Sequence, residues 1–219
     1  MTSIRLATWN INGLSPKKNE VELFLTNHNI DILMISEAHC TASSNVKFKN
    51  YQCYMTIHPD GTGHAGTALI VRNNIKHQLM PEYKTEHIQA TTIMVKDNIG
   101  YLNVSATYCP PKHKIKDYQF NDYFSTFGNR FIAGGDFNAK HTHWGSRTIS
   151  TRGRQLKMSV DTNRLVTIST GEPTNWPSDP KKKPDLLDLF VAKGIHKHYL
   201  KPEPCYDGTS DHTPVLLTI

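Results

Sequence analysis

Residues 30–37 read Ile30-Asp31-Ile32-Leu33-Met34-Ile35-Ser36-Glu37, a short and nearly continuous apolar run that ends in a carboxylate. A strand with one solvated face alternates apolar and polar side chains, whereas this run offers apolar groups to both faces. It predicts a strand covered from both sides, so the chain must build layers around it. Just upstream, Lys17 to Asn29 carries Val21, Phe24, Leu25 and His28 at i, i+3, i+4 and i+7, the spacing of a helix with one buried face. Ile4 to Asn10 alternates as a strand, and Asn12-Gly13 turns it.

The same vocabulary recurs downstream. Gly66 to Arg72, Ile88 to Val95 and Tyr101 to Tyr108 are rich in β-branched and aromatic residues and read as strands, the last two joined by a hairpin at Asn98-Ile99-Gly100. Asp117 to Phe127 spaces Phe120, Tyr123, Phe124 and Phe127 as a helix, with Asp117 as its expected N-cap. Phe131-Ile132-Ala133 is a short buried strand leading to Asp136, followed by a helix over Gly153 to Asn163 and strands over Leu165 to Ile168, Leu186 to Ala192 and Pro214 to Ile219. Strands outnumber helices and many neighbours are hairpins. The fold expected is therefore two sheets packed face to face with helices outside. No Pro/Gly/Ser-rich linker divides the 219 residues, which read as one domain over 1–219.

Composition narrows the partners. Hydrophobic residues make up 37% and charged residues 20%, which is globular rather than disordered. The net charge of +6 favours a polyanionic partner, nucleic acid before anionic membrane. The four cysteines, Cys40, Cys53, Cys109 and Cys205, have the spacing of neither a zinc finger nor a disulfide framework, so a reduced intracellular compartment is expected. The chain enters its first strand without a signal-like segment, and no apolar run approaches the roughly 20 residues of a membrane span.

Polar motifs sit where the strands run out: Thr8-Trp9-Asn10-Ile11-Asn12-Gly13, Ser36-Glu37-Ala38-His39, Gly134-Gly135-Asp136-Phe137-Asn138 and Ser210-Asp211-His212. Loops at strand ends carry binding and catalytic groups. Their carboxylates and amides suit a hard divalent cation and phosphate-ester chemistry. Glu37 is a candidate ligand for Mg²⁺, with Asn10 beside it; against this, strand ends are often simply solvated. Asp136 is a candidate to orient or deprotonate water, and Asn138 to donate to a phosphate oxygen. In continued strand geometry both would point one way with Phe137 turned inward; the alternative is a local Asx turn. An acid such as Asp188, inside Leu186-Leu187-Asp188-Leu189-Phe190, is costly unless paired, and His212 or a metal is the expected partner. Asp185, three residues earlier, is expected to be exposed. Asp211 either contacts His212 through loop geometry or orients another group. Tyr108 ends its strand with a hydroxyl suited to phosphate. His141 and His143 lack a third metal ligand at suitable spacing, which favours a structural or DNA-facing role.

Taken in order, Trp-Asn-Ile-Asn-Gly, Ser-Glu-Ala-His, Thr-Tyr-Cys-Pro-Pro, Gly-Gly-Asp-Phe-Asn-Ala-Lys-His and Ser-Asp-His resemble the exonuclease–endonuclease–phosphatase superfamily. Gly135 to His141 with Trp144-Gly145-Ser146 and Arg152-Gly153-Arg154, and Pro184 to Leu189, resemble the apurinic-type endonuclease domain of jockey-like non-LTR retrotransposons. The resemblance runs from residue 4 to residue 219. It implies a four-layered α/β sandwich and a Mg²⁺-dependent enzyme, with Mn²⁺ as a substitute, that nicks one strand of double-stranded DNA. The 3′-hydroxyl left would prime reverse transcription by a reverse transcriptase domain of the same polyprotein, in the nucleus. By the same resemblance Glu37, with Asn10 nearby, holds the metal, and Asp136 activates or orients water. Asn138 and His212 stabilise the transition state, Asp188 orients His212, Asp211 supports the metal or His network, and Tyr108 meets the scissile phosphate.

The family's minor-groove hairpin corresponds by motif order to roughly Thr174–Pro184, where Trp176, Lys181, Lys182 and Lys183 are candidate DNA contacts. Asn12, Lys140 and His141 complete the candidate DNA-binding set. A cellular abasic-site repair endonuclease is the nearest alternative. A phosphatase or phospholipase fits the positive charge less well, and a binding-only module has no need of so many buried acids.

Overall fold

Two sheets facing each other account for the doubly apolar run. The computed structural model describes residues 3–219. In chain order the elements are β1 (Arg5–Asn10), α1 (Lys18–Asn27), β2 (Ile32–Ser36), β3 (Tyr51–Thr56), β4 (Thr67–Arg72), β5 (His77–Leu79), β6 (Tyr83–Lys84), β7 (Gln89–Lys96), β8 (Tyr101–Tyr108), α2 (Asp117–Ser125), β9 (Phe131–Asp136), α3 (Thr151–Thr162), β10 (Val166–Ile168), β11 (Asp188–Lys193), β12 (Lys201–Pro204) and β13 (Val215–Thr218). One sheet runs β12-β13-β1-β2-β4-β3, and the other β10-β11-β9-β8-β7-β5 with β6 beside β7. Both are mixed: β1/β2 and β8/β9 pair in parallel, and the other pairs are antiparallel.

Side-chain alternation sorts the core into three layers. Leu6, Ile32, Met34, Leu69 and Val71 of the first sheet meet Ile93, Val104, Ala106, Ile132 and Phe190 of the second. The opposite faces of the first sheet's strands, through Ala7, Trp9, Leu33, Ile35 and Ile70, pack on Val21, Phe24 and Leu25 of α1. On the far side Ala133, Leu189 and Val191 pack on Phe120, Tyr123 and Phe124 of α2 and on Leu156 and Val160 of α3. The order helix, sheet, sheet, helices is the four-layered α/β sandwich. Every residue of β2 is buried, as its unbroken apolar pattern requires.

Two glycines let β9 sit at the centre of its sheet. A side-chain carbon on Gly134 would lie 2.6 Å from Phe190, and one on Gly135 would overlap the backbone carbonyl of Thr107. The Phe190 ring over Gly134 and the Thr107 backbone against Gly135 fit only because both positions lack a side chain, and the strand so packed ends in Asp136 at the site.

Several local expectations change. Asp117 is not the cap of α2 but its first residue. The cap position is Lys116, whose backbone N–H donates to Gln119 Oε1 at 2.9 Å, and Asp117 N–H donates to Gln155 Oε1 at 3.0 Å. Asp185 is buried rather than exposed: its Oδ1 accepts the backbone N–H groups of Arg147 and Leu186, and Lys140 Nζ lies 3.2 Å from Oδ2. Strands β3, β5, β6 and β12 lie outside the expected set. Among the described residues no helix is long and apolar enough to cross a membrane.

Candidate active site

Strand register gathers the site. Tyr108 on β8 stands opposite Asp136 on β9, and Asp136 opposite Asp188 on β11, so three strands deliver three polar groups in one row. Across the interface β1 and β2 end together, Asn10 opposite Ser36. Ser36 joins the two sheets: its Oγ donates to Thr107 O at 2.8 Å and accepts from the Asp136 N–H at 3.0 Å.

Asn10 and Tyr108 converge on one atom of Glu37. Asn10 Nδ2 donates to Glu37 Oε1 at 2.9 Å and to Asp136 Oδ2 at 3.0 Å, and Tyr108 OH donates to Glu37 Oε1 at 2.8 Å. Asn10 Oδ1 is occupied by the Asn12 N–H at 3.2 Å, so the side chain bridges two carboxylates rather than presenting its oxygen. Glu37 Oε2 faces His39 Nε2 at 3.5 Å. Burial pushes the Glu37 carboxyl up, but His39, Asn10, Tyr108 and the His212 charge outweigh it and pull the group down to about 2. Glu37 is therefore ionised at neutral pH. Burial first, then the charges of Glu37 and Asp136, push the Tyr108 phenol far upward, so it stays a donor.

Asp136 and Asn138 meet through an Asx turn rather than through pleat geometry. The strand ends at Asp136, Asn138 takes a φ of 48°, and its N–H donates to Asp136 Oδ1 at 2.7 Å. Phe137 still points into the core, and Asn138 Nδ2 still reaches Asp136 Oδ2 at 2.9 Å and Cys109 O at 3.2 Å. Turn and functional geometry thus coexist. Burial, then the Asp188 charge, pushes the Asp136 carboxyl up, against the pull of His212 and the Asn138 amide.

Opposite this cluster, His212 Nδ1 lies 2.7 Å from Asp188 Oδ2, both side chains buried. Burial alone pulls the imidazole down; the Asp188 charge and hydrogen bond, followed by Asp136 and Asp211, carry it up to about 10. The ring is an imidazolium at neutral pH. Its Nε2 lies 2.8 Å from Asn175 Nδ2; beside a charged ring the amide must turn its oxygen to that position to accept the Nε2–H. Trp9 Nε1 donates to His212 O at 3.2 Å, and Ser210 Oγ donates to Asn10 O at 2.8 Å, which locks the His212 loop to the end of β1.

The donor set fits a hard divalent cation. Three acids, Glu37, Asp136 and Asp188, face one imidazolium. Among the described residues Asp188 Oδ1 is buried without a hydrogen-bond partner. Asp136, Asp188 and His212 offer ligand atoms within 4.8 Å of one another. Since His212 Nδ1 is bonded to Asp188, the surplus lone pairs are carboxylate oxygens, the donors that Mg²⁺ prefers.

The remaining candidates lie outside the buried cluster. Asp211 is exposed, accepts from Ser210 Oγ at 3.3 Å, and acts on His212 only through its charge. Asn12 is exposed on its turn with a φ of 51°. Lys140 pairs with Asp185, and His141 Nδ1 accepts the His143 N–H at 3.0 Å. A bridge between Asn175 and Asp185 closes the loop 176–184, which carries half-exposed Trp176 and exposed Lys181, Lys182 and Lys183. That loop therefore begins one residue after the side chain that meets His212.

The sequence assigns no role to four residues of the site, although His39 and Arg152 lie in motifs it shows. Asn175 meets His212, and His39 meets Glu37. Thr174 Oγ1 accepts the N–H groups of Leu187 and Asp188, each at 3.0 Å. Arg152 is buried and donates to the carbonyls of Cys109, Pro110, His113 and Phe137, so it ties the loop after β8 to the loop after β9. The Arg152-Gly153-Arg154 motif is visible in the sequence; its inward turn is not.

Residues 7–212 match the Endonuclease/Exonuclease/phosphatase family. The RNA-directed DNA polymerase from mobile element jockey of Drosophila funebris is 34% identical over 214 residues, 98% of this chain and 23% of that protein. The probable RNA-directed DNA polymerase from transposon BS of Drosophila melanogaster is 34% identical over 221 residues, 100% of this chain and 24% of that protein. The chain spans about a quarter of the length of these relatives. Among solved structures, the endonuclease domain of TRAS1, a telomere-specific non-LTR retrotransposon, superposes with a TM-score of 0.81 at 19% identity, covering 99% of this chain and 98% of that one. An AP endonuclease from Leishmania major gives a TM-score of 0.80 at 14% identity, over 99% and 87%.

Proposed function

Because the chain belongs to the endonuclease/exonuclease/phosphatase family, we propose that it is the endonuclease domain of a non-LTR retrotransposon and nicks one strand of double-stranded DNA. The single domain 1–219 then works beside a reverse transcriptase of the same polyprotein, in the nucleus, and the 3′-hydroxyl it frees primes reverse transcription. The names of the relatives and the quarter of their length that the chain spans support this reading. The observation that carries the chemistry is the buried cluster of Glu37, Asp136, Asp188 and His212, bridged by Asn10 and edged by Tyr108 and Asn138.

Glu37 through Oε2, with Asp136 beside it, would hold Mg²⁺ or substituting Mn²⁺, which when bound offsets negative charge on the phosphate and the leaving oxygen. Asn10 positions both carboxylates. Asp136 orients the attacking water and takes its proton. The water oxygen bonds to phosphorus as the bond to the 3′-oxygen breaks, leaving a 5′-phosphate and, after protonation, a 3′-hydroxyl. The His212 Nε2–H, released from Asn175, and Asn138 Nδ2, released from Cys109 O, would donate to non-bridging phosphate oxygens as charge grows on them. Asp188 keeps the imidazole charged and aimed, and Tyr108, whose one O–H holds Glu37 Oε1, would turn it to the phosphate once the metal engages Glu37. Asp211 adds negative charge near His212. Trp176, Lys181, Lys182 and Lys183 on the loop beside Asn175, with Asn12, Lys140 and His141, contact the duplex.

End chemistry tests this reading. A nicked product that a DNA polymerase extends without prior end repair is expected. A product that must first lose a 3′-phosphate, or cleavage confined to duplexes with an abasic site, would count against it.

A further inference from the structure

Outside the catalytic cluster, a second group of ligating atoms converges between α1 and the loop from Cys205 to Pro214. His28 caps the C-terminal end of α1, and its Nε2 lies 2.8 Å from Asp207 Oδ2. Cys205 Sγ lies 3.3 Å from the same nitrogen. All three ligand atoms are within 4.8 Å of one another. The Cys205 thiol reaches both His28 Nε2 and the Asp207 carboxylate, so the three groups converge on one shared centre. Cys205 is 6% exposed, whereas the Asp207 side chain is 66% exposed and free to adjust. Arg5, whose charge Cys205 feels, is itself turned to Glu203 at 3.7 Å.

We infer that His28, Cys205 and Asp207 form a zinc-class metal site that staples α1 to the loop carrying His212. Thiolate and imidazole suit zinc, whereas Mg²⁺ takes oxygens, so this site and the catalytic cluster select different metals. Tetrahedral zinc binds sulfur at about 2.3 Å and nitrogen or oxygen at about 2.0–2.2 Å, which sets ligand atoms roughly 3.3–3.6 Å apart. The Cys205–His28 pair already has that spacing, and the exposed Asp207 carboxylate, 2.8 Å from His28 Nε2, has room to back away to it. Binding releases the Cys205 proton and leaves the fourth position to water. The anchored loop is closed by the Cys205 N–H donating to Pro214 O at 2.9 Å, and Thr209 fixes it again to Glu20 of α1 through two bonds of 2.7 Å.

The test is cobalt titration of the reduced, chelator-treated chain. One equivalent of Co²⁺ should give the intense near-ultraviolet sulfur-to-cobalt band, and Zn²⁺ should abolish it. An oxygen-ligated catalytic site gives no such band. Cys205→Ser should remove it. Asp207→Asn, a change on an exposed side chain, should keep the fold and weaken Co²⁺ by about tenfold or more. Zinc should raise the thermal midpoint of the unaltered chain and not that of Cys205→Ser. Absence of the band at stoichiometric Co²⁺ would overturn the inference, as would a band that survives in Cys205→Ser.

Discussion

Asp136 and Asp188 stand directly opposite each other on neighbouring strands, both buried, with His212 hydrogen-bonded to the second of them. Two acids in register repel, and the Asp188 charge raises the cost of ionising Asp136. The imidazolium offsets part of that cost, and the proposed divalent cation offsets more. The local excess of negative charge is thus what would draw the proposed cation to the site.

Asp188→Asn tests this coupling. The ring should then titrate well below the about 10 of the unaltered chain, because burial pulls it down and its strongest partner is gone. In the unaltered chain the native pKa lies above the unfolded one, so the pair stabilises the fold fully below about 6.5 and loses that contribution as pH rises through about 10. The variant should lack the alkaline loss of stability. Nicking should fall by about 10²-fold or more near neutral pH. Proton NMR of the His212 ring is the measurement, and an unmoved midpoint would refute the assigned pairing.

Arg152 makes a structural prediction. Its guanidinium serves four backbone carbonyls, a geometry that no other side chain reproduces. Arg152→Ala should cost about 3 kcal/mol of stability, because it strands buried acceptors, and Arg152→Lys should recover only part. Chemical denaturation with an unchanged slope reads this directly. A loss within about 0.5 kcal/mol, the range of an ordinary surface change, would contradict the role.

The loop 176–184 should act on DNA affinity rather than on chemistry. Replacing Lys181, Lys182 and Lys183 with Ala should weaken duplex binding and flatten the logarithmic salt dependence by up to about 3, near 0.9 for each phosphate no longer neutralised. Single-turnover cleavage of bound DNA should change little. An unaltered slope would mean that these lysines do not meet phosphate.

The layers and most of the site were legible because they follow from periodicity and strand ends. The run Ile32–Ser36 can lie only between two layers, and the acids at 37, 136 and 188 each sit in or at the end of an apolar strand. Other features depend on distant partners. Pro202 and Pro204 read against a strand, yet β12 is an edge strand, where a missing N–H costs little. Asp185 looks like a solvated loop acid until Lys140 and Arg147 arrive from another loop. Asn175 has no pattern of its own, since only the Asn175–His212 bridge reveals it. His28 and Cys205 are 177 residues apart, beyond any ligand-spacing motif.

The most direct test is incubation of supercoiled plasmid with the chain in Mg²⁺, in EDTA, and with Asp136→Ala in Mg²⁺. The account predicts open-circular product only with Mg²⁺ and the unaltered chain, with Asp136→Ala folded and still binding DNA. Open circles formed at the same rate by Asp136→Ala or in EDTA would contradict it.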